Sequence, residues 1–147
     1  MSSADVTHAW GAFQRMRTQL AGRIYRELAR STGLSEPDFE VLFTLDAEPD
    51  KTLRSIDLRC ALDWEKSRLS HQLRRMTERG LVTRETCTTD GRSTIIVLTA
   101  AGIETITAAR SCHEAAVSRY FGEVLNTEQL AAINQIATLV LDRLATD

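Results

Sequence analysis

No stretch of this 147-residue chain approaches the ~20 consecutive apolar residues that span a bilayer. Its opening, Met1-Ser-Ser-Ala-Asp-Val-Thr-His8, has neither the basic start nor the apolar run of a secretory leader, so no membrane partner and a cytoplasmic location are expected. Cysteine is scarce. Cys60, Cys87 and Cys112 are widely spaced and odd in number, which fits reduced thiols rather than a disulfide framework. There is no glycine-rich phosphate loop and no nucleophile motif, and the three histidines (His8, His71, His113) lack metal-ligand spacing. These absences argue against an enzyme, and no cofactor is expected. Repeats and low-complexity segments are also missing.

What is present is an uneven distribution of charge. The whole chain is slightly acidic, at −2. Residues 51–92, however, hold ten basic and six acidic side chains, a window of +4 that leaves −6 on the rest. A basic middle between acidic arms is an electrostatic footprint for a polyanion. A charged, solvated helix face is the simpler reading of any one segment, but here a basic helix and a basic loop lie in one contiguous stretch.

That helix is predicted to begin after Glu65, a weak cap, and to end at Gly80 in a left-handed turn. At 100° per residue, Leu69, Leu73 and Met76 fall within an arc of about 60° as one apolar stripe. Ser67, Arg68, His71, Arg74, Arg75 and Glu78 take the opposite side. Trp64 projects onto the polar face by this count. As the residue before the cap it is nevertheless expected to pack against Leu69 as a hydrophobic staple. Two β-branched segments follow, Leu81–Thr86 and Ser93–Leu98, joined by Cys87-Thr-Thr-Asp-Gly-Arg92 with Arg92 near the tip of the loop. Ile56, Leu58 and Ala61 suggest a short helix before the turn at Leu62–Trp64. Helix, turn, basic helix and β-hairpin together make a winged helix-turn-helix.

The flanks read as helices. Val6, Trp10, Phe13, Arg17, Leu20, Ile24 and Leu28 recur at helical spacing and stop near Ser31-Thr-Gly33. Ser35-Glu-Pro-Asp38 restarts the chain with a cap, an early proline and a first-turn carboxylate. Thr99 caps a long helix running to about Gly122, and Asn126-Thr-Glu-Gln129 opens the last one with a capping-box pattern. The expected fold is mainly α with a small β-hairpin wing. Residues 1–34 and 100–147 would supply dimerisation helices, and residues 35–99 the reading module. A larger monomeric core is the other use for those terminal apolar stripes. A dimer suits duplex DNA, because two reading helices one helical turn apart match a palindrome.

Four segments carry a resemblance: Lys66-Ser-Arg-Leu-Ser70, Arg79-Gly-Leu-Val-Thr-Arg84, Asp90-Gly-Arg-Ser93 and Leu98-Thr-Ala-Ala-Gly102. With them the chain resembles, over nearly its whole length, the MarR family of bacterial transcription regulators. The resemblance implies a homodimer on double-stranded DNA, with terminal helices forming its base. It implies repression of a nearby operon and release of DNA on binding a small, often phenolic or anionic, compound. Glu65 and His71 depart from the family pattern.

Arg74 and Arg68 are the candidate base readers, since arginine bonds guanine O6 and N7 bidentately. His71 and Gln72 stand behind them, and Arg75 shares the basic face. Lys66, Ser67 and Ser70, near the helix start, suit phosphates. Arg92 would enter a minor groove, with Asp90 orienting the wing. Asp90 alone is equally a plain turn former. The effector cleft implied by the resemblance would be lined from Trp10, Phe13, Arg17, Phe39, Phe43 and His113. An aromatic wall with one cation suits an aromatic acid, but the same stripe also serves as ordinary core. Two further readings stay open. One is thiol-redox control, with Cys60 expected buried, Cys87 exposed beside the wing and Cys112 on the long helix. The other is a winged helix that binds protein without specific DNA binding.

Overall fold

Local signals start and stop most of the helices. In this computed structural model, which describes residues 1–86 and 93–146, α1 (Ser3–Thr32) opens with a capping box. Asp5 N–H donates to Ser2 Oγ, and Ser2 N–H donates to Asp5 Oδ2. It closes on Gly33, whose φ of 74° is open to glycine at little cost. Helix α2 (Glu36–Asp46) repeats the box with Ser35 and Asp38 and carries Pro37 in its first turn. Helix α3 (Ser55–Leu62) ends at Asp63 in the left-handed region. Helix α4 (Lys66–Glu78) gives way to Gly80 at φ 74°. Helix α5 covers Ala100–Val117 and continues as a π-helical segment, Ser118–Gly122. Helix α6 (Thr127–Ala145) starts on the Asn126–Gln129 box.

The sheet has one strand more than the expected hairpin. Strands β2 (Val82–Thr86) and β3 (Thr94–Leu98) pair antiparallel, and β1 (Thr52–Arg54) adds to the other side of β3, giving the order β1-β3-β2. Three residues are too few to display the alternation that marks a strand in sequence. What places β1 is tertiary. Lys51 takes a left-handed conformation, its ammonium reaches the Asp46 carbonyl at 2.6 Å and the Asp46 carboxylate at 3.2 Å, and its own carbonyl accepts from Leu98 N–H. Arg110 of α5 closes on the other Asp46 oxygen at 2.6 Å.

The chain divides into two units between His113 and Glu114. In the first, residues 1–113, the core gathers Leu28, Leu42, Leu45, Leu58, Leu73, Met76, Ile96 and Ile106, all fully buried. Of the long apolar stripe on α1 only Ile24 and Leu28 are buried; Val6, Trp10, Phe13 and Met16 are exposed. In the second unit, residues 114–147, α6 exposes Ile136, Leu139, Val140, Leu141 and Leu144. Cys60, expected inside, is exposed on α3, because Leu58 is the side that helix turns inward; Cys112 is half-buried. Cys87 lies outside the described residues. No helix among the described residues is long and apolar enough to cross a membrane.

One glycine is required by contact rather than by φ. A Cβ on Gly102 would overlap the Leu81 carbonyl oxygen and stand 2.8 Å from Leu98 Cδ1. Thr99 completes this junction. Its Oγ1 lies 2.7 Å from the Gly80 carbonyl and 3.0 Å from that of Leu81, and it accepts from Gly102 N–H at 2.9 Å. The Leu98-Thr-Ala-Ala-Gly102 pattern is therefore a weld between the end of α4, the start of β2 and the start of α5.

Candidate nucleic-acid interface

Helix α4 is amphipathic in the expected sense. Leu69, Leu73 and Met76 are buried, and Lys66, Ser67, Arg68, Ser70, His71, Arg74, Arg75 and Glu78 are exposed. Trp64 is only 8% exposed, in the same core cluster as Leu69, as a staple requires. Glu65 caps through its backbone alone, accepting from Leu69 N–H.

Gln72 is the residue misplaced by the sequence reading. It is 3% exposed and cannot stand behind the base readers, because its amide is spent inside the protein. Gln72 Nε2 donates to Asp38 Oδ1 at 2.6 Å, and its oxygen accepts from Arg75 at 2.8 Å. The other Asp38 oxygen accepts from Arg79 Nη1 at 2.8 Å. A carboxylate that the sequence marks only as a first-turn residue thus ties α2 to the middle and the C-terminal end of the reading helix. Burial pushes the Asp38 carboxyl up, but the Ser35 backbone amide and Arg79 outweigh it and hold it below the usual value. Among the described residues no buried side-chain nitrogen or oxygen lacks a hydrogen-bond partner.

The basic side chains differ in how freely they can leave the surface. Arg68 lies over the Trp64 ring, 4.1 Å from its centroid, so a base contact must compete with this cation–π pairing. Arg74 is exposed, with its Nη2 3.4 Å from His71 Nδ1. Both line a cleft of about 440 Å³ with Ser70, Thr77, Glu78 and Arg84. Arg84, on β2, donates to the Ser70 carbonyl at 3.1 Å and braces helix to sheet. Asp90 and Arg92 lie outside the described residues.

The six effector-cleft candidates fall in two places. Phe39 stacks on His113 at 4.4 Å and on Phe43 at 5.5 Å, with Tyr25 edge-on to Phe39 and Arg110 over Phe43. The Tyr25 phenol is pushed up to about 12 by burial and by Glu36 and Glu40. Trp10 and Phe13 pair with each other on the exposed part of α1, and Arg17 donates to Gln14. Fifteen residues of helix put Trp10 and Tyr25 about 22 Å apart, so one protomer does not wrap a single small molecule with both groups.

Comparison with known proteins gives the lineage. The profile of the MarR family matches residues 34–94. Among solved structures, AbsC, a MarR family transcriptional regulator from Streptomyces coelicolor, is 30% identical with a TM-score of 0.92, over 100% of this chain and 98% of AbsC. Sco3205, a MarR family regulator from the same organism solved in complex with DNA, is 27% identical with a TM-score of 0.91, over 97% of this chain and 89% of its own. S. aureus MepR, in a DNA complex, shares the fold at 20% identity and a TM-score of 0.81, over 91% of this chain and 97% of its own. No curated protein matches. With the helix-turn-helix, the sheet and a relative at 30% identity along the full length in agreement, the chain belongs to the MarR family of DNA-binding transcriptional regulators.

Proposed function

We propose that the protein is a homodimeric repressor that reads a palindromic operator with α4 in the major groove and releases it on binding a small aromatic or anionic effector. The observation that carries the reading is the exposed row of Lys66, Ser67, Arg68, Ser70, His71, Arg74 and Arg75 on a helix pinned from behind by Asp38. Its relative Sco3205 is known bound to DNA. The apolar side chains exposed on α1 and α6 support a second copy as their cover, with residues 1–34 and 100–147 as dimerisation segments around the 35–99 reader. The Phe39–His113–Phe43 stack with Arg110 is the part that suits an aromatic acid.

Fluorescence anisotropy against the DNA upstream of the gene, beside scrambled duplex, tests this reading. Binding far tighter than to scrambled DNA, by a protein of dimer mass in sedimentation and released by an aromatic acid, is the expected result. Equal affinity for both duplexes removes the operator. A monomer mass removes the palindrome, and indifference to a panel of such acids removes the effector.

Arg74 is assigned to a base. Arg74→Ala is expected to cost about 1–3 kcal/mol and to relax preference at one position; a uniform loss on every sequence makes it a phosphate contact instead. Arg92, with Asp90 orienting the wing, is assigned to the minor groove. Arg92→Ala should lower both affinity and the slope of log K against log salt. If neither moves, the wing drops out of the interface.

A further inference from the structure

We propose that the cleft between α3, α4 and the sheet seats a phosphodiester of the DNA backbone, with Arg54 and Arg59 joining Lys66 as its cations. This rests on the DNA-binding reading and extends it to residues outside the recognition helix. The cleft has a volume of about 410 Å³, and its polar lining is Arg54, Ser55, Arg59, Lys66, Ser93 and Thr94. Among the described residues that line it there are three cations, three hydroxyls and no carboxylate; Asp57, although in the first turn of α3, is not part of the wall. Arg54 is held in advance, because its Nη2 donates to Ser93 Oγ at 3.1 Å across the β1–β3 edge. A guanidinium already placed loses less freedom when it takes up an oxyanion.

Backbone polarity adds to the side chains. Ser55 and Lys66 are the first residues of α3 and α4, and neither helix start has a side-chain cap bond, whereas α1, α2 and α6 each open with a capping box. Two helix starts, each with the positive end of its dipole, thus border one basic cleft.

The occupant follows from where the cleft lies. A major groove is about as wide as a helix with its side chains, so a helix lying in it has a row of phosphates along each flank. Lys66 and Leu69 of α4 form one wall of the cleft, which puts Arg54 and Arg59 on such a flank. Phosphates carry no sequence, so this seat sets register and overall affinity rather than base preference.

The test is the salt dependence of binding for the wild-type protein, for Arg54→Gln/Arg59→Gln and for Arg54→Lys/Arg59→Lys, each on upstream and on scrambled duplex. The glutamine variant should lose about one from the slope of log K against log salt for each protomer bound. Its loss of affinity should be the same on both duplexes, and the lysine variant should keep the wild-type slope. A wild-type slope in the glutamine variant, with thermal melting confirming that it is folded, overturns the proposal. So does an equal slope loss in the lysine variant, which would point to a structural role for the arginines. Should the wild-type protein fail to prefer its upstream DNA, the operator reading falls, yet the slopes on scrambled duplex still decide this seat.

Discussion

Asp38→Ala is expected to destabilise the protein by about 3 kcal/mol, mostly through the amide it abandons. Three donors converge on this carboxylate: the Ser35 backbone N–H, Gln72 Nε2 and Arg79 Nη1. Arg79 is 43% exposed, so its ion pair is screened and returns to water at small cost. Gln72 has no such exit. Leaving a buried amide unpaired costs about 1–3 kcal/mol, and the lost half of the capping box adds roughly 1 more. For a chain of this size, ~3 kcal/mol lowers Tm by about 10 °C. Adding Gln72→Leu removes the stranded amide, and the double variant should recover more than about 1 kcal/mol. A single variant within ~0.5 kcal/mol of wild type in urea denaturation, or a double variant that is worse still, would show that the network does not hold α4.

The same carboxylate gives a pH signature. Its folded value lies below the ordinary one, so the unfolded chain takes up a proton first as pH falls. The contribution is fully present above the unfolded carboxylate value of about 3.9 and is lost as pH falls through the lower, folded value. Stability of Asp38→Asn should therefore decline less than that of wild type from neutral pH to pH ~3. Parallel curves would detach the stabilisation from the charge.

Gly102→Ala should cost on the order of 3 kcal/mol, against the trend for an exchange that ordinarily favours helix by about 1 kcal/mol. The added methyl meets a backbone carbonyl, Leu81 O, and Leu98 Cδ1 at 2.8 Å, and backbone in a sheet junction cannot rotate aside. Relief would require moving Thr99, which holds both carbonyls of the Gly80–Leu81 turn. Gly22→Ala is the control. There the nearest atom is Arg26 Nη1 at 3.4 Å, the far end of a flexible side chain, and a gain of up to ~1 kcal/mol is expected. Equal melting temperatures for the two variants would mean that the α5–sheet junction tolerates an added methyl and that the glycine serves no packing purpose.

What could be read along the chain was what lies within one helical turn. The Ser35 cap, the Asn126–Gln129 box, the glycine stops at Gly33 and Gly80, and the stripe of Leu69, Leu73 and Met76 all stand where the spacing puts them. Trp64 is buried although its helical angle places it on the polar side, because a staple is a local packing motif set by its position before the cap. Strand β1 escaped because three residues have no period, and because its pairing with β3 spans some forty residues. Gln72 escaped for a different reason. A polar side chain at the edge of a helical face reads as solvated until a partner from α2 is known to wait inside. Cys60 was expected inside an apolar short helix, yet eight residues with one buried leucine leave most of their surface to solvent.

By itself, then, the sequence determined the helices, the caps at Ser35 and Asn126, the polar and apolar sides of α4, and the concentration of positive charge between residues 51 and 92. These depend on periods of three to four residues and on the chemistry of single positions, and both are local. Tertiary structure alone decided that Asp38 anchors the reading helix, that Arg68 rests on Trp64, and that Arg54 and Arg59 share a cleft with Lys66. Burial and pairing between residues tens of positions apart are set by how whole elements pack, and no local period encodes that.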